Sequence, residues 1–249
     1  MPSALNPDKF ARLARRLASR PDRSDHGQLL PALGAALEVE ELGDRLARVV
    51  AALGSERLIV PVPVEAHPDQ AGGEHRPQDL DPDSQIPLAT DERDGVTAIA
   101  VFSSAEALRH WDREARPLAL TSQKVAITAI ATGVPRLRLD PADQSLLLGR
   151  PAVEALAAGD RWLPGWEDES LRAHLSARAA ELAPWASFVS VTLRPNPTGL
   201  TVEVSAAPRE GHRRVREDFA ALLAQLGQDP RLGAAAESVE FNPRLVHLA

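Results

Sequence analysis

The segment DERDGVTAIAVFSSAEALRHWD, which spans Asp91–Asp112, constrains the fold of this chain more than any other stretch. Its Asp94 and Gly95 are a strong turn signal, because glycine accepts a positive φ without steric cost. We therefore predict two antiparallel strands on either side of the turn, at Ile86–Ala89 and Val96–Val101. The acidic stretch DERDG is then the turn of a hairpin near the middle of the chain.

A helix start follows directly after the second of these strands. Ser103 and Glu106 match a capping box, in which the serine hydroxyl and the glutamate carboxylate satisfy free backbone donors. The helix that follows presents Leu108 and Trp111 toward the body of the protein. Each of these residues has a sufficient role in folding, so we interpret the segment as scaffold and not as a functional site.

Strand pairs alternate with helices along the chain, and this pattern predicts an α+β fold with mixed or mainly antiparallel sheets flanked by helices. Two α+β domains are expected. The first covers residues 28–160 and the second covers residues 168–249, with the segment DRWLPGWEDES as their junction. The second has the order αββαβ, and its strands SFVSVTLR and LTVEVSA alternate apolar and polar residues, as a half-buried hairpin requires.

Three further patterns place elements within these domains. RLRLDPADQSLLLG predicts a second hairpin in the first domain. In the second domain, apolar residues at helical spacing predict helices over Ser170–Leu182 and about 212–226, and SVEFN predicts a last paired strand. Negative charge at Glu167–Glu169 complements the dipole of the first of these helices, which Asp168 or Ser170 caps.

Two segments are expected to lie outside the compact units. Residues 1–27 are interpreted as an N-terminal basic helix or arm, because arginines cover one face of an amphipathic pattern at Pro7–Arg20. This arm either docks on the body or meets an acidic partner or membrane surface. Residues 67–84 are rich in Pro, Asp, Gln and Gly, and they predict a mobile loop or an insertion. His67 and His75 are weighed there as metal ligands, and solvated loop residues are the simpler interpretation.

The composition excludes several classes of function. The chain of 249 residues contains no cysteine, so disulfides, thiolate nucleophiles and cysteine-ligated metal centres are excluded. A net charge of -7 argues against a nucleic-acid binder that relies on a broad basic surface. No signal peptide or membrane-spanning apolar stretch is recognisable. We expect a cytoplasmic protein with no nucleic-acid or membrane partner.

Several short motifs in order resemble the N-terminal domain of the SseB (enhanced serine sensitivity) family. They are ERLIVPVPVE, IPLATDERDGVTAIAVFSSAEALRHWDREARPLAL and LRLDPADQSLLLGRPAVEALAAG. The arrangement is similar to that of actinobacterial members, with a Leu/Val–Pro strand, an acidic–Gly turn, a VFSS strand end and an EAL…W helix. The resemblance covers roughly Gln28–Gly159, and Asp168–Ala249 is compatible with the family's C-terminal domain. The resemblance implies a serine-sensitivity phenotype but no defined reaction, and it supplies no active-site residues.

The polar residues that attract attention have simpler structural roles. No phosphate-binding, nucleophile-elbow or zinc-helix motif is present. The carboxylates Asp91, Glu92 and Asp94 are interpreted as solvated residues of the hairpin turn and not as an acid–base pair. Three histidines are interpreted as ordinary surface residues: His110, His174 and His212. The sequence therefore predicts no catalytic, cofactor-binding or metal-binding residue.

Trp162 and Trp166 lie at the predicted junction, where a linker is normally polar. The two rings either pack between the domains and fix their angle or anchor a partner protein, since aromatic residues are enriched among interface hot spots. We therefore predict that Trp162 and Trp166 form an interdomain or partner surface.

These observations favour a non-enzymatic interaction or regulatory module that presents sheet faces or loops to a protein partner. One alternative is an enzyme or a sensor of an amino acid such as serine, with a site in the cleft between the domains. Another is a secretion-associated or toxin-neutralising binding protein. An enzyme is the less favoured class, because no catalytic set is recognisable, and no pattern indicates the oligomeric state.

Overall fold

The computed structural model describes residues 25–62 and 88–246. Nearly all of the predicted basic arm at 1–27, and the whole of the predicted loop at 67–84 with His67 and His75, lie outside the described residues. Within the described residues, helices alternate with strands, and the strands form mixed and antiparallel sheets. This arrangement confirms the α+β fold.

The described residues form eight helices and nine strands, and the last helix is one that the order αββαβ predicted for the second domain does not include. The helices are α1 (Pro31–Leu37), α2 (Leu42–Leu53), α3 (Ala105–Trp111), α4 (Ser122–Ala131), α5 (Arg150–Ala158), α6 (Glu169–Leu182), α7 (Val215–Leu226) and α8 (Pro230–Ala235). The strands are β1 (Arg57–Val62), β2 (Thr90–Arg93), β3 (Val96–Val101), β4 (Arg116–Thr121), β5 (Leu137–Leu139), β6 (Leu146–Leu148), β7 (Ala186–Asn196), β8 (Gly199–Pro208) and β9 (Val239–Leu245). No helix in these ranges combines the length and the apolar character needed to cross a lipid bilayer.

Two sheets precede the junction. The larger has the order β2-β3-β5-β6, and its central strands β3 and β5 run parallel, with Val101 opposite Leu139. β2 pairs with β3 and β6 pairs with β5, as the two predicted hairpins require, so β2 and β6 lie on the outside of this central pair. β1 and β4 form a two-stranded antiparallel sheet, which a bridge between Ile59 and Phe102 joins to the end of β3. Because β3 and β5 are parallel neighbours, their carboxyl ends meet at the same edge of the sheet.

The first strand of the central hairpin lies later than predicted. The strand expected at Ile86–Ala89 occupies Thr90–Arg93 instead, so only Asp94 and Gly95 remain in the turn. Both have a positive φ, of 55° and 73°. A two-residue hairpin turn of type I′ needs positive φ at both central residues, and Asp94 and Gly95 meet this requirement between β2 and β3.

The cap of α3 also lies one residue later than the capping box predicts. The hydroxyl of Ser104 accepts the backbone N–H of Ala107 at 3.1 Å, and it is this residue that caps the helix. Ser103 is drawn toward the sheet instead, where its backbone N–H donates to Asp140 Oδ1 at 2.8 Å. Because the backbone of Ser103 bonds to Asp140, Ser104 takes the capping role.

Separate hydrophobic clusters form on the two sides of the junction. One is built from α1, α2, α4 and α5 with the strands β1, β3, β5 and β6. The other is built from α6 and α7 with β7 and β8. A small third cluster lies under α3, where Leu108 is fully buried and the ring of Trp111 lies 5.4 Å from that of Phe102. The predicted inward face of α3 is thus confirmed.

The sheet after the junction has the order β7-β8-β9. β7 and β8 are antiparallel, as predicted, whereas β9 runs parallel to β8. Val191 and Leu193 of β7 and Val202 and Val204 of β8 are buried in the second cluster, and the residues between them are more exposed. The alternation of the sequence therefore identifies the buried face of this hairpin.

The two longer helices of this half lie close to their predicted positions. α6 is capped by Asp168, whose Oδ1 accepts the backbone N–H of Leu171 at 3.0 Å. α7 begins at Val215, three residues later than predicted. His212 lies outside the helix, with Nε2 2.8 Å from Oδ2 of Asp218, so it holds the preceding turn against the first turn of α7.

Candidate functional site

The carboxyl ends of β3 and β5 bring buried polar groups together. Phe102 and Ser103 follow the end of β3, and Asp140 directly follows β5. The backbone N–H of Asp140 donates to the carbonyl of Val101 at 2.9 Å. The Asp140 carboxylate also turns toward β3, where its Oδ1 accepts the backbone N–H of Ser103. A single aspartate therefore joins the two strand ends through both its backbone and its side chain.

Asp140 combines burial with backbone strain. Only 5% of the residue is exposed. Burial raises the pKa of its carboxyl group, and this outweighs the backbone N–H and hydroxyl of Ser103, which lower it. Its φ of 50° is a left-handed conformation, which its carbonyl stabilises by accepting the N–H groups of Asp143 and Ser145 at 3.0 and 2.9 Å. Strained backbone and buried titratable groups both concentrate at functional sites.

A groove of about 570 Å³ opens beside Asp140. It is lined by the end of β3 with α3, by the loop after β5, and by residues 26–29 with α1. Ser103 and Ser104 are buried at this point, and Leu29 and Leu37 add apolar surface. The groove therefore offers both polar groups and an apolar patch.

Arg57 fixes the segment that borders the groove. Its guanidinium forms a two-pronged pair with Asp25, with Nε 2.6 Å from Oδ2 and a terminal nitrogen 2.8 Å from Oδ1. The same guanidinium donates to the carbonyls of Gln28 at 2.5 Å and Ser103 at 3.0 Å. The hydrogen bonds from Arg57 hold the pKa of Asp25 below its ordinary value. Arg57 is thus a positioning residue for this border.

A close approach at Gly27 completes the border. The carbonyl of Gly27 accepts the backbone N–H of Ala105, the first residue of α3, at 2.7 Å. A Cβ at position 27 would lie only 2.7 Å from the Cβ of Ala105, and φ here is +80°. Glycine is therefore required for residues 26–28 to pack against α3.

The groove is acidic. Its ionisable residues are Glu38, Glu106, Asp140, Asp143, Arg109, His26 and His110. Four carboxyl groups thus face one permanent cation, and this balance suits a ligand with a positive charge or several hydrogen-bond donors. At the exposed mouth, Nδ1 of His110 lies 3.8 Å from Oδ1 of Asp143. Among the hydrogen bonds of residues 25–62 and 88–246, none joins a serine hydroxyl to a histidine; those of His174 and His212 go to Asp229 and Asp218.

A family model, the SseB protein N-terminal domain, matches residues 29–155, just over half of the chain. The chain belongs to the SseB family. No curated protein and no solved structure matches it. The matched span contains β1–β6, so every residue that lines the groove, apart from 26–28, belongs to the SseB N-terminal domain. The likeness of Asp168–Ala249 to the family's C-terminal domain stays a prediction.

The junction tryptophans of this SseB chain contact each other. The rings of Trp162 and Trp166 meet edge to face, with centroids 5.5 Å apart and planes at 86°. Both are partly buried: Trp162 packs against the first cluster, and Trp166 packs against both clusters. The cavity beside them has a volume of about 40 Å³, room for about three waters. A role for these rings in binding a partner stays a prediction.

Glu237 links the two halves of the SseB chain through polar contacts. Its carboxylate pairs with the guanidinium of Arg136 and accepts the backbone N–H of Arg150 at 3.3 Å. Arg150 begins α5, whose preceding residue Gly149 supplies no side-chain cap. Arg150 also donates from its guanidinium to the carbonyl of Gly233 at 3.1 Å. An acid from beyond the junction therefore caps a helix of the SseB N-terminal domain.

The three carboxylates expected in the central turn do not converge. Asp91 lies in β2 and is partly buried, with its Oδ2 2.8 Å from Nε of Arg138, although neither atom makes an aligned hydrogen bond. The contact is therefore a charge pair, and the interpretation of Asp91 as a solvated turn residue is wrong. Glu92 and Asp94 are exposed.

The three histidines have different surroundings. His110 lines the groove, while Nε2 of His174 lies 2.7 Å from Asp229, and His212 contacts Asp218 as described above. Within the described ranges, no group of three or more His, Asp or Glu side chains is placed to hold a metal ion.

Asp140 and Ser103 are the site residues that sequence reasoning missed. The dipeptide Asp140-Pro141 after a strand is a turn signal, and Ser103 was interpreted as a helix cap. The second hairpin pairs β5 with β6, but nothing in its pattern indicates that β5 also lies beside β3. The two residues are 37 positions apart in the sequence, so only the parallel pairing of β3 with β5 brings them together.

Proposed function

We propose that this SseB-family chain is a non-enzymatic cytoplasmic interaction module that binds a positively charged side chain of a protein partner in the acidic groove. The observation that carries the proposal is the almost complete burial of the Asp140 carboxyl group beside an open groove. A buried carboxylate is costly unless a cation or several donors complete its environment. A lysine or arginine side chain of the partner would supply that completion.

The surroundings of Asp140 support this class of ligand. Glu38, Glu106 and Asp143 add negative charge to the groove, and Leu29 and Leu37 offer apolar surface. Lysine and arginine side chains carry an aliphatic stem behind a charged head, so they match a groove of this mixed character. The pairing of Arg57 with Asp25 holds the border in place before the ligand arrives, which lowers the entropic cost of binding.

A sensor of a free amino acid is the second candidate, because an ammonium group would meet the same carboxylates. The cavity between the two halves is smaller than an amino acid, so the groove is the better site for this alternative too. A secretion-associated or toxin-neutralising role differs from the first proposal only in the identity of the partner.

Isothermal titration calorimetry on the full chain tests the proposal. The probes are N-acetyl-arginine amide, N-acetyl-lysine amide, the uncharged isostere N-acetyl-citrulline amide, and L-serine. We expect a cationic amide to bind and the citrulline amide to fail. Asp140→Asn is expected to weaken binding by about tenfold or more, because a charge-assisted hydrogen bond contributes about 1.5–3 kcal/mol.

Asp94→Asn is the matched control variant. Asp94 is also an aspartate at positive φ, but it is exposed in a turn and does not line the groove. We expect this variant to bind like the unchanged chain. Equal binding of the arginine and citrulline amides, or an affinity that Asp140→Asn leaves unchanged, would contradict the proposal. Binding of L-serine alone, lost in Asp140→Asn, would favour the amino-acid sensor instead.

A further inference from the structure

Asp25, where the described residues begin, lies at the border of the acidic groove. The residues that follow it, His26–Leu29, line the groove. Arg57 holds Asp25 by its two-pronged pair, and the same guanidinium donates to the carbonyl of Ser103. The segment of residues 1–24 is therefore tethered directly beside the groove.

Residues 1–24 are a basic segment of an acidic chain. Their cationic side chains are Lys9, Arg12, Arg15, Arg16, Arg20 and Arg23, and their carboxylates are Asp8 and Asp22. Since the whole chain has 28 Lys and Arg and 35 Asp and Glu, the remaining residues carry 22 cationic side chains against 33 carboxylates. Electrostatic attraction therefore draws the segment toward the body to which it is joined.

The chemistry of the segment matches that of the groove. Four carboxyl groups line the groove, including the buried Asp140, and Leu29 beside them is 45% exposed although it is a large apolar residue. The segment interleaves its arginines with the apolar residues Phe10, Leu13 and Leu17. It therefore offers cations to the carboxyl groups and apolar side chains to the exposed leucine.

The tether is long enough for an arginine of the segment to meet Asp140. The guanidinium that pairs with Asp25 donates to the carbonyl of Ser103, and the N–H of Ser103 donates to Asp140. One guanidinium and one residue thus connect the two carboxylates. Arg20 is five residues from Asp25, a length that an extended chain spans with up to about 17 Å.

We infer that the arginine-rich segment 1–24 occupies the acidic groove of its own chain and competes there with the cationic side chain of a partner. A tethered ligand acts at an effective concentration on the order of 1 mM, so a partner must displace it. The inference rests on the proposed preference of the groove for a cation. It adds to the proposed function a regulation by competition within the chain.

Disulfide trapping in the full chain tests the occupancy. The chain contains no cysteine, so Ser19→Cys with Gln144→Cys places one thiol in the segment and one beside the groove without removing a charge. Equilibration with reduced and oxidised glutathione then gives the effective concentration of the two thiols, and the mass of the oxidised product distinguishes monomer from dimer.

The control for trapping keeps the tether and removes its charge. It carries the same two cysteines together with R12Q, R15Q, R16Q and R20Q. We expect the effective concentration of the thiols to fall about tenfold or more in this background, because the cations no longer draw the segment to the groove. Equal values in the two backgrounds would overturn the inference. A disulfide formed only between two molecules would also overturn it.

Calorimetry with N-acetyl-arginine amide tests the competition. The variant R12Q/R15Q/R16Q/R20Q is expected to bind the amide about tenfold more tightly than the unchanged chain, because a larger fraction of its grooves is free. The matched control R172Q/R178Q/R213Q/R214Q makes the same change in net charge at exposed arginines beyond the junction. We expect this control to bind like the unchanged chain. Circular dichroism verifies that each variant is folded.

The calorimetric outcomes separate this inference from the proposed function. If the amide binds the variant of the segment and the matched control with equal affinity, the proposed function stands and the inference fails. If the amide binds no variant but trapping depends on the arginines of the segment, the groove is a site for the chain's own segment, and the proposed partner is contradicted. If trapping is independent of charge and no amide binds, both fail.

Discussion

The two halves of the molecule end their parallel strand pairs in different ways. β3 and β5 are followed by the buried polar residues Ser103 and Asp140, which line a groove, whereas β8 and β9 end at Pro208 and Leu245, which are partly or largely exposed. The fully buried polar and charged residues of the described ranges all belong to the SseB N-terminal domain: Ser103, Ser104, Ser122, Arg138 and Asp140. The half beyond the junction buries apolar side chains around Leu175 and Val202.

This difference indicates how the interior of each half is built. Burying a polar group costs free energy unless its partners are supplied, so an interior that contains several such groups is built around specific contacts. The interior beyond the junction is built from packed apolar side chains such as Leu175 and Val202. The SseB N-terminal domain is thus the half that contains the buried polar groups of the proposed groove site.

The largest effect that separates the halves is expected at Asp91. Asp91→Ala leaves Arg138 buried without its charge partner, and we expect the free energy of unfolding to fall by about 3–5 kcal/mol. The matched change beyond the junction is Glu203→Ala, which removes the partner of the exposed Arg244. It is expected to cost no more than about 1 kcal/mol. Urea denaturation measures both.

Arg138→Met in the Asp91→Ala background tests whether the lost stability comes from the unpaired charge of Arg138. Because the uncompensated charge is then gone, we expect most of the lost stability to return. Equal losses for Asp91→Ala and Glu203→Ala would contradict the contrast between the halves, since they would show that the buried Arg138 depends on its partner no more than the exposed Arg244 does.

A smaller effect is expected at Glu237, where the two halves meet. Glu237→Ala removes the pair with Arg136 and the cap on α5, and we expect a loss of about 2 kcal/mol. Scanning calorimetry should also show one unfolding transition broadening or separating into two, because the polar link between the clusters is gone. Glu154→Ala is the control, since its pair with Arg150 is exposed and lies within α5. An unchanged transition in Glu237→Ala would mean that the packing of Trp166 alone couples the halves.

The parts of the fold that sequence could predict are those set by local chemistry. The turn at Asp94 and Gly95, the alternation in β7 and β8, and the helix that follows Asp168 each depend on a few adjacent residues. The family resemblance and the α+β class followed from such motifs in order. Local patterns therefore identified most elements correctly, with boundaries displaced by a few residues.

The candidate site could not be predicted because it depends on contacts between distant residues. Ser103 meets Asp140 only because β3 and β5 are parallel neighbours, and short apolar strands carry no signal of their partner. The same limit explains the error at Asp91: its acidic neighbours suggested a solvated turn, but the charge pair with Arg138 draws it into the sheet. Trp162 and Trp166 were recognised because an aromatic pair in a junction departs from the local expectation.

The smallest expected change in stability is at Asp140, the buried carboxyl group beside the groove. Asp140→Asn keeps an oxygen that accepts the N–H of Ser103, and asparagine tolerates positive φ as aspartate does. The variant removes a buried titratable group, so at pH 7 we expect it to be more stable than the unchanged chain by about 1 kcal/mol, within the range of single stabilising substitutions. If Asp140 served only to stabilise the fold, Asp140→Asn would lower the free energy of unfolding instead.

The pH dependence of this difference follows from the raised pKa of Asp140. Below the ordinary pKa of an aspartate, the carboxyl group is protonated in both the folded and the unfolded chain, so ionisation costs the folded state nothing. As the pH rises toward the raised pKa, the unfolded chain releases its proton first, and the stability of the unchanged chain falls relative to Asp140→Asn. Above the raised pKa the difference is constant. Urea denaturation between pH 3 and pH 8 measures it, with Asp94→Asn as the control variant at an exposed aspartate. If the unchanged chain is more stable than Asp140→Asn at every pH, burial of the Asp140 carboxyl group does not cost stability. The proposal that a cationic ligand binds in the groove then loses its main observation.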